Sequence, residues 1–224
     1  MNSELVVLWD IDGTVLDTQG AGVGPLTKAI EESIGRSVIL ERKKHAGKSD
    51  YEIIEFLSGL SVSSNLEKFQ FENILENYVN GLALNLKVKP AKVLGDVIKT
   101  LEWLQESRNI RIGLLSGNCE AGGREKLISA NLLDFFEPEL CFFASSQLSN
   151  RNSVLASIVK RHSNLVIVGD TPNDVEAGNN HNISVISVAT GLYTWVELDK
   201  INKGFVLRED WKLNEFSKLL EMVY

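Results

Sequence analysis

The chain has 224 residues, 44% of them hydrophobic and 24% charged, with a formal net charge of −7. That length suits one large domain, or a core with a smaller insertion. The acidic balance argues against nucleic acid or an anionic membrane surface as the main partner. Cys119 and Cys141 form no disulfide framework and no metal-ligand pattern. The Met1-Asn2-Ser3-Glu4 start lacks the basic stretch of a signal peptide, and no apolar run approaches the length of a membrane span. The expectation is a cytoplasmic protein with no membrane partner, a monomer or weak dimer.

The first element is the apolar run Leu5-Val6-Val7-Leu8-Trp9, which reads as a buried strand of a parallel sheet. It ends abruptly in Asp10-Ile11-Asp12-Gly13-Thr14-Val15. A carboxylate at the end of a buried strand is costly unless it is paired, hydrogen-bonded or metal-bound. Gly20, Gly22, Gly24 and Pro25 mark a loop, followed by a helix from Leu26 to about Ile34. After the basic run Arg42-Lys43-Lys44-His45, Ser49 or Asp50 can cap a helix reaching Leu57. Gly59 to Asn65 is a polar loop, and Leu66 to about Leu86 one long amphipathic helix. Residues 16–88 thus read as an all-helical insertion, the brief Val38-Ile39-Leu40 apart.

Val88-Lys89-Pro90 is the return linker, because Pro90 cannot continue the helix. A helix follows over about Leu94 to Ser107, then a strand from Ile110 to Leu115 that ends at Ser116-Gly117-Asn118. Next come a helix near Gly123 to Ala130, a strand from Leu140 to Phe143 and a helix from Asn152 to Arg161. The apolar strand Leu165-Val166-Ile167-Val168 ends at Gly169-Asp170, and a short helix lies near Asp174 to Ala177. A strand from Ile183 to Val188, another near Gly204 to Leu207 and a helix from Leu213 to Val223 complete the chain. Strands alternating with helices imply an α/β fold with a doubly wound parallel sheet. Trp9 and Trp103 read as core; Trp195 and Trp211 carry no assignment, and His45, His162 and His181 are too scattered to form a metal set.

Three strands end in polar clusters: Asp10-x-Asp12, Ser116-Gly117-Asn118 and Asp170-Thr171-Pro172-Asn173-Asp174. In a parallel sheet these ends share one edge, where ligands bind. Converging acids repel unless a cation lies among them, and hard carboxylate oxygens suit Mg²⁺, which shares its remaining coordination with phosphate. Ser116 and Gly117 read as an anion cradle before a helix. Arg151 at a helix start is unfavourable for the helix dipole, which points to a task elsewhere; Lys160 and Arg161 in a last turn are favourable there.

These segments resemble motifs I, II and IV of the haloacid dehalogenase (HAD) superfamily, and the likeness covers the whole chain. The resemblance implies an HAD-like Rossmannoid core over 1–15 and 89–224, with a helical cap of the C1 type over 16–88, in the phosphoglycolate phosphatase-like branch. It implies that Asp10 is the nucleophile and Asp12 the general acid and base. Asp10, the Asp12 backbone carbonyl and Asp170 would hold Mg²⁺, with Asp174 acting directly or through water; ligand softness alone does not separate Mg²⁺ from Mn²⁺ or Co²⁺ in vitro. Ser116 and the Gly117 amide would bind the phosphoryl group. Motif III departs from the usual Lys-Pro: Ser149-Asn150-Arg151-Asn152-Ser153 offers Arg151 instead, with Lys160 as the alternative. Lys48, in the cap loop Gly47-Lys48-Ser49-Asp50, either grips the leaving group or continues the solvated basic run. The implied function is hydrolysis of a small phosphomonoester; the rivals are a phosphomutase of the β-phosphoglucomutase kind and a non-catalytic binding protein on the same fold.

Overall fold

The computed structural model describes residues 4–61, 63–64 and 67–224. The start of the chain at residues 1–3, the loop's end at Asn65 and the expected helix start at Leu66 lie outside the described residues.

The first strand, β1 (Leu5–Trp9), is buried along its whole length. Its side chains alternate between two apolar clusters, Leu5, Val7 and Trp9 on one face and Val6 and Leu8 on the other. Helices cover both faces of such a sheet, which is why the run is continuously apolar rather than alternating. β2 (Leu16–Asp17) leads into α1 (Val23–Ile34), α2 (Arg42–His45), α3 (Asp50–Ser58) and α4 (Lys68–Val88), and β3 (Lys92–Val93) brings the chain back. β2 and β3 pair antiparallel, Leu16 with Val93 and Asp17 with Lys92, so residues 18–91 leave and return at one place.

From there the elements alternate: α5 (Val97–Gln105), β4 (Ile110–Cys119), α6 (Glu120–Ser129), β5 (Cys141–Ala144), α7 (Arg151–Ile158), β6 (Leu165–Gly169), α8 (Pro172–His181), β7 (Ser184–Val188), α9 (Trp195–Asp199), β8 (Val206–Leu207) and α10 (Leu213–Val223). The sheet order is β5-β4-β1-β6-β7-β8, with every pairing parallel. The chain winds outward from β1 through β4 and β5, then adds β6, β7 and β8 on the other side. The direction therefore reverses between β1 and β6, where a doubly wound sheet opens its crevice.

Some expectations change. Val38-Ile39-Leu40 is not a strand, and Ile39 stands 81% exposed. The insertion is not wholly helical, since its first two residues form β2. α8 runs to His181 rather than Ala177; Thr171 caps it, Pro172 opens it and Asn182 closes it in the left-handed region at φ 57°. The strand expected to stop at Leu115 is longer: β4 continues, buried, through Ser116-Gly117-Asn118 to Cys119, and α6 starts directly after it. Trp211 is fully buried and packs on Phe216, which stacks on Trp9. Trp195 donates its indole N–H to the Val206 carbonyl at 3.1 Å. No helix among the described residues is long and apolar enough to cross a membrane.

Candidate active site

The Asp10 N–H donates to the Val168 carbonyl at 2.9 Å, keeping Asp10 in register with β6 at the point where β1 stops. The chain then turns sharply: the Ile11 carbonyl accepts from the amides of Thr14, Val15 and Leu16 at 3.1–3.3 Å. Gly13 has φ +81°, and a Cβ there would collide with the Asp170 carboxylate. Glycine is required at that position for both reasons. Thr14 Oγ1 donates to Asp170 Oδ1 at 3.1 Å, and Thr190 Oγ1 donates to the Gly13 carbonyl at 2.6 Å.

Asp170 follows the end of β6, and Asp174 sits in the first turn of α8, where its Oδ2 accepts from the Thr171 amide at 3.0 Å and hydroxyl at 2.7 Å. Asp10, Asp170 and Asp174 are all buried, and each has an oxygen within 4.8 Å of the other two. Burial pushes the Asp10 carboxyl above its ordinary range, although Arg151 pulls it down. Burial, and then the charge of Asp10, pushes Asp170 well above its range. These are hard oxygen donors short of positive charge, a set that fits a divalent cation.

Arg151 opens α7, which Asn150 caps. Its guanidinium is buried, with Nη2 2.7 Å from Asp10 Oδ1 and Nη1 ion-paired to Asp174. The unfavourable dipole at this position is thus offset by two carboxylates. Arg151 Nε has no hydrogen-bond partner among the described residues. Lys160 is exposed and makes no ion pair among them. Ser116 is buried, exchanging hydrogen bonds with Asn118 at 3.2 Å. A Cβ on Gly117 would lie 3.0 Å from Ser49 Cα, so the loop before α3 rests directly on it.

Asp12 is not one of these three acids, although it lines a neighbouring cavity with Gly13 and Asp170. Asp12 Oδ2 accepts from Lys126 Nζ of α6 at 2.5 Å. Asp12 and Lys126 line a cleft of about 180 Å³ with Arg42, His45, Lys48, Asp50 and Tyr78, all from residues 18–91. Lys48 thus lines the same cleft as Asp12, with its Nζ 5.4 Å from the centre of the Phe56 ring. Ser49 caps α3 and donates to the Ser149 carbonyl, while Asp50 Oδ2 accepts from the Cys119 amide at 2.8 Å. These two bonds seat α3 on the ends of β4 and the loop before α7. Burial pushes Asp50 up, against Lys126 and the Cys119 amide. Burial pulls the Lys126 ammonium down, but Asp12, Tyr78 and Asp50 outweigh it and hold the lysine above its ordinary range.

Lys126, Asp50, Tyr78 and Arg42 were not evident as site residues from sequence. One signal was available for Lys126. Gly122 and Gly123, one turn earlier in α6, are both buried, and a Cβ on Gly123 would press on Phe143. Paired glycines inside a helix mark a close approach, and a lysine one turn later falls on the same inward side.

The sequence profile described as "Haloacid dehalogenase-like hydrolase" matches residues 7–188, well over half of the chain. The chain belongs to the haloacid dehalogenase-like hydrolases. Solved structures of this type agree in fold. A β-phosphoglucomutase from Clostridium difficile superposes with a TM-score of 0.70 at 18% identity, covering 98% of each chain. A structure described as a predicted phosphatase from Clostridium acetobutylicum has a TM-score of 0.69 at 17% identity, covering 98% of this chain and all of that one. A haloacid dehalogenase-like hydrolase from Streptococcus pneumoniae has a TM-score of 0.66 at 15% identity, again covering 98% and 100%. Among curated proteins, none matches this chain. In this hydrolase the loop from Asp10 to Gly13 carries both Asp10 of the acidic cluster and Asp12 of the Asp12–Lys126 pair.

Proposed function

We propose that this hydrolase is an Mg²⁺-dependent phosphatase that cleaves a small phosphomonoester through an aspartyl-phosphate on Asp10. The carrying observation is the buried group of Asp10, Asp170 and Asp174 at the strand reversal, with Arg151 against it and Asp12 beside it over a cleft. In the first step an Asp10 carboxylate oxygen attacks phosphorus, the ester P–O bond breaks, and Asp12 gives a proton to the leaving oxygen. In the second, water attacks phosphorus, Asp12 takes its proton, and the bond to Asp10 breaks to release inorganic phosphate. Splitting one hard displacement into two is the gain from covalent catalysis.

Asp10, the Asp12 carbonyl, Asp170 and Asp174 are the proposed ligands of Mg²⁺, which when bound offsets charge on the phosphoryl oxygens. Ser116, the Gly117 amide and the free Nε of Arg151 are the proposed phosphoryl contacts, and Lys48 the proposed contact to the leaving group. Residues 1–15 and 89–224 form the proposed core and 16–88 the cap, in a cytoplasmic monomer or weak dimer.

The test is phosphate release from a panel of phosphomonoesters, phosphoglycolate and sugar phosphates included, with Mg²⁺ and with EDTA, for the wild type and Asp10→Asn. Release that needs both Mg²⁺ and Asp10 supports the reading; no release from any ester removes it. The likeness to a β-phosphoglucomutase structure favours one second reading, a phosphomutase using the same two aspartates. Isomerised sugar phosphate without free phosphate would identify it.

A further inference from the structure

α6 carries a charge on its inward side. Lys126 is 5% exposed and Leu127 beside it is fully buried. An ammonium there keeps its charge only by pairing, because burial removes its hydration. Two carboxylates are near, and they are divided between two partners. The Asp50 carboxylate takes the Cys119 amide at 2.8 Å, while Lys126 Nζ donates to Asp12 Oδ2 at 2.5 Å. The Asp12 side chain nevertheless stays 41% exposed, on the cleft that it shares with Arg42, Lys48 and Tyr78.

The geometry points to Lys126 as a positioning residue for Asp12. Asp12 sits on a loop after β1, where its carboxylate has several rotamers open to it. A lysine held in the buried side of a helix removes that freedom, fixing one carboxylate oxygen and leaving the group presented to the cleft. A proton transferred to the leaving oxygen, and later taken from water, passes through a carboxylate already aimed. The inference rests on the phosphatase reading, in which Asp12 moves the proton; Lys126 acts through Asp12 and does not contact the substrate.

The experiment is a double-mutant cycle on the turnover of p-nitrophenyl phosphate, whose weakly basic leaving group keeps crippled variants measurable. Lys126→Met should lower kcat by about 10- to 100-fold, the scale of a misaimed catalytic group, with KM within about twofold of wild type. The Asp12→Asn/Lys126→Met double variant should be no slower than Asp12→Asn alone, because groups that act as a unit are not additive. Lys126→Gln, which keeps a hydrogen-bond donor, should fall between wild type and Lys126→Met, and it takes the place of Lys126→Met in the cycle if that variant fails to fold. A raised KM with kcat preserved would make Lys126 a substrate contact, and losses that multiply in the double variant would make it a merely structural lysine; either overturns the inference. A wild type that releases no phosphate from any ester overturns it together with the phosphatase reading, whereas loss of the inference alone leaves wild-type turnover intact.

Discussion

Two charge clusters meet at the loop after β1, one wholly buried and one partly open, and they are built in opposite ways. In the one, Asp10, Asp170, Asp174 and Arg151 all come from strand ends or helix first turns of the parallel sheet. In the other, Asp12 meets Lys126 from the interior of a helix, beside Asp50 and Tyr78 from α3 and α4. The first cluster sets three carboxylates against one guanidinium and so invites a divalent cation. In the second, Asp12 is paired with a lysine and stays partly open to the cleft. A cluster made by backbone topology supplies the fixed charge, whereas a cluster made by packing supplies the aimed and partly open group.

Removing the proposed nucleophile is the largest perturbation of the acidic cluster. Asp10→Asn should lower phosphate release by roughly three orders of magnitude or more while leaving the melting temperature near that of wild type; substantial residual turnover would move the nucleophile elsewhere.

Arg151→Ala sharpens the contrast through stability. Without its guanidinium, buried Asp10 and Asp174 lose their ion pairs, so unfolding in EDTA should be easier by about 3–5 kcal/mol. Saturating Mg²⁺ should close most of that gap, because the ion takes over the neutralisation. An equal gap with and without Mg²⁺, measured by urea unfolding, would mean that the arginine and the ion do not share these acids.

Gly13→Ala forces a side chain into a left-handed position against Asp170 and should cost about 1–3 kcal/mol. It should also weaken the Mg²⁺ dependence of the melting temperature, since the displaced carboxylate is a proposed ligand. The smallest effect is expected at Lys160, which is exposed: Lys160→Ala should stay within about 0.5 kcal/mol of wild type, with unchanged kinetics. A KM or kcat defect there, with none in Arg151→Ala, would transfer the motif III role to Lys160.

The parts of this protein that were legible in its sequence are those decided by short-range pattern. Five apolar residues ending in Asp10-x-Asp12 read as a strand buried on both faces, and two later strand ends, before Ser116 and Asp170, announced polar clusters of their own. Even Arg151 was visible, because a basic residue at a helix start is wrong for that helix and right for something facing it. Where local signals were weak the boundaries moved: the Asn179-Asn180-His181 stretch hid the end of α8, and the strand expected to stop at Leu115 runs on through Ser116-Gly117-Asn118. Lys126 was read as one more residue of an ordinary helix, since nothing within α6 says which acid its inward face will meet. That acid lies 114 residues earlier in the chain, and the cleft that both line is walled by residues inserted in the interval. Strand ends and their carboxylates follow from patterns a few residues long, whereas the partner of a buried charge depends on which distant surfaces are pressed together, and only the tertiary packing decides that.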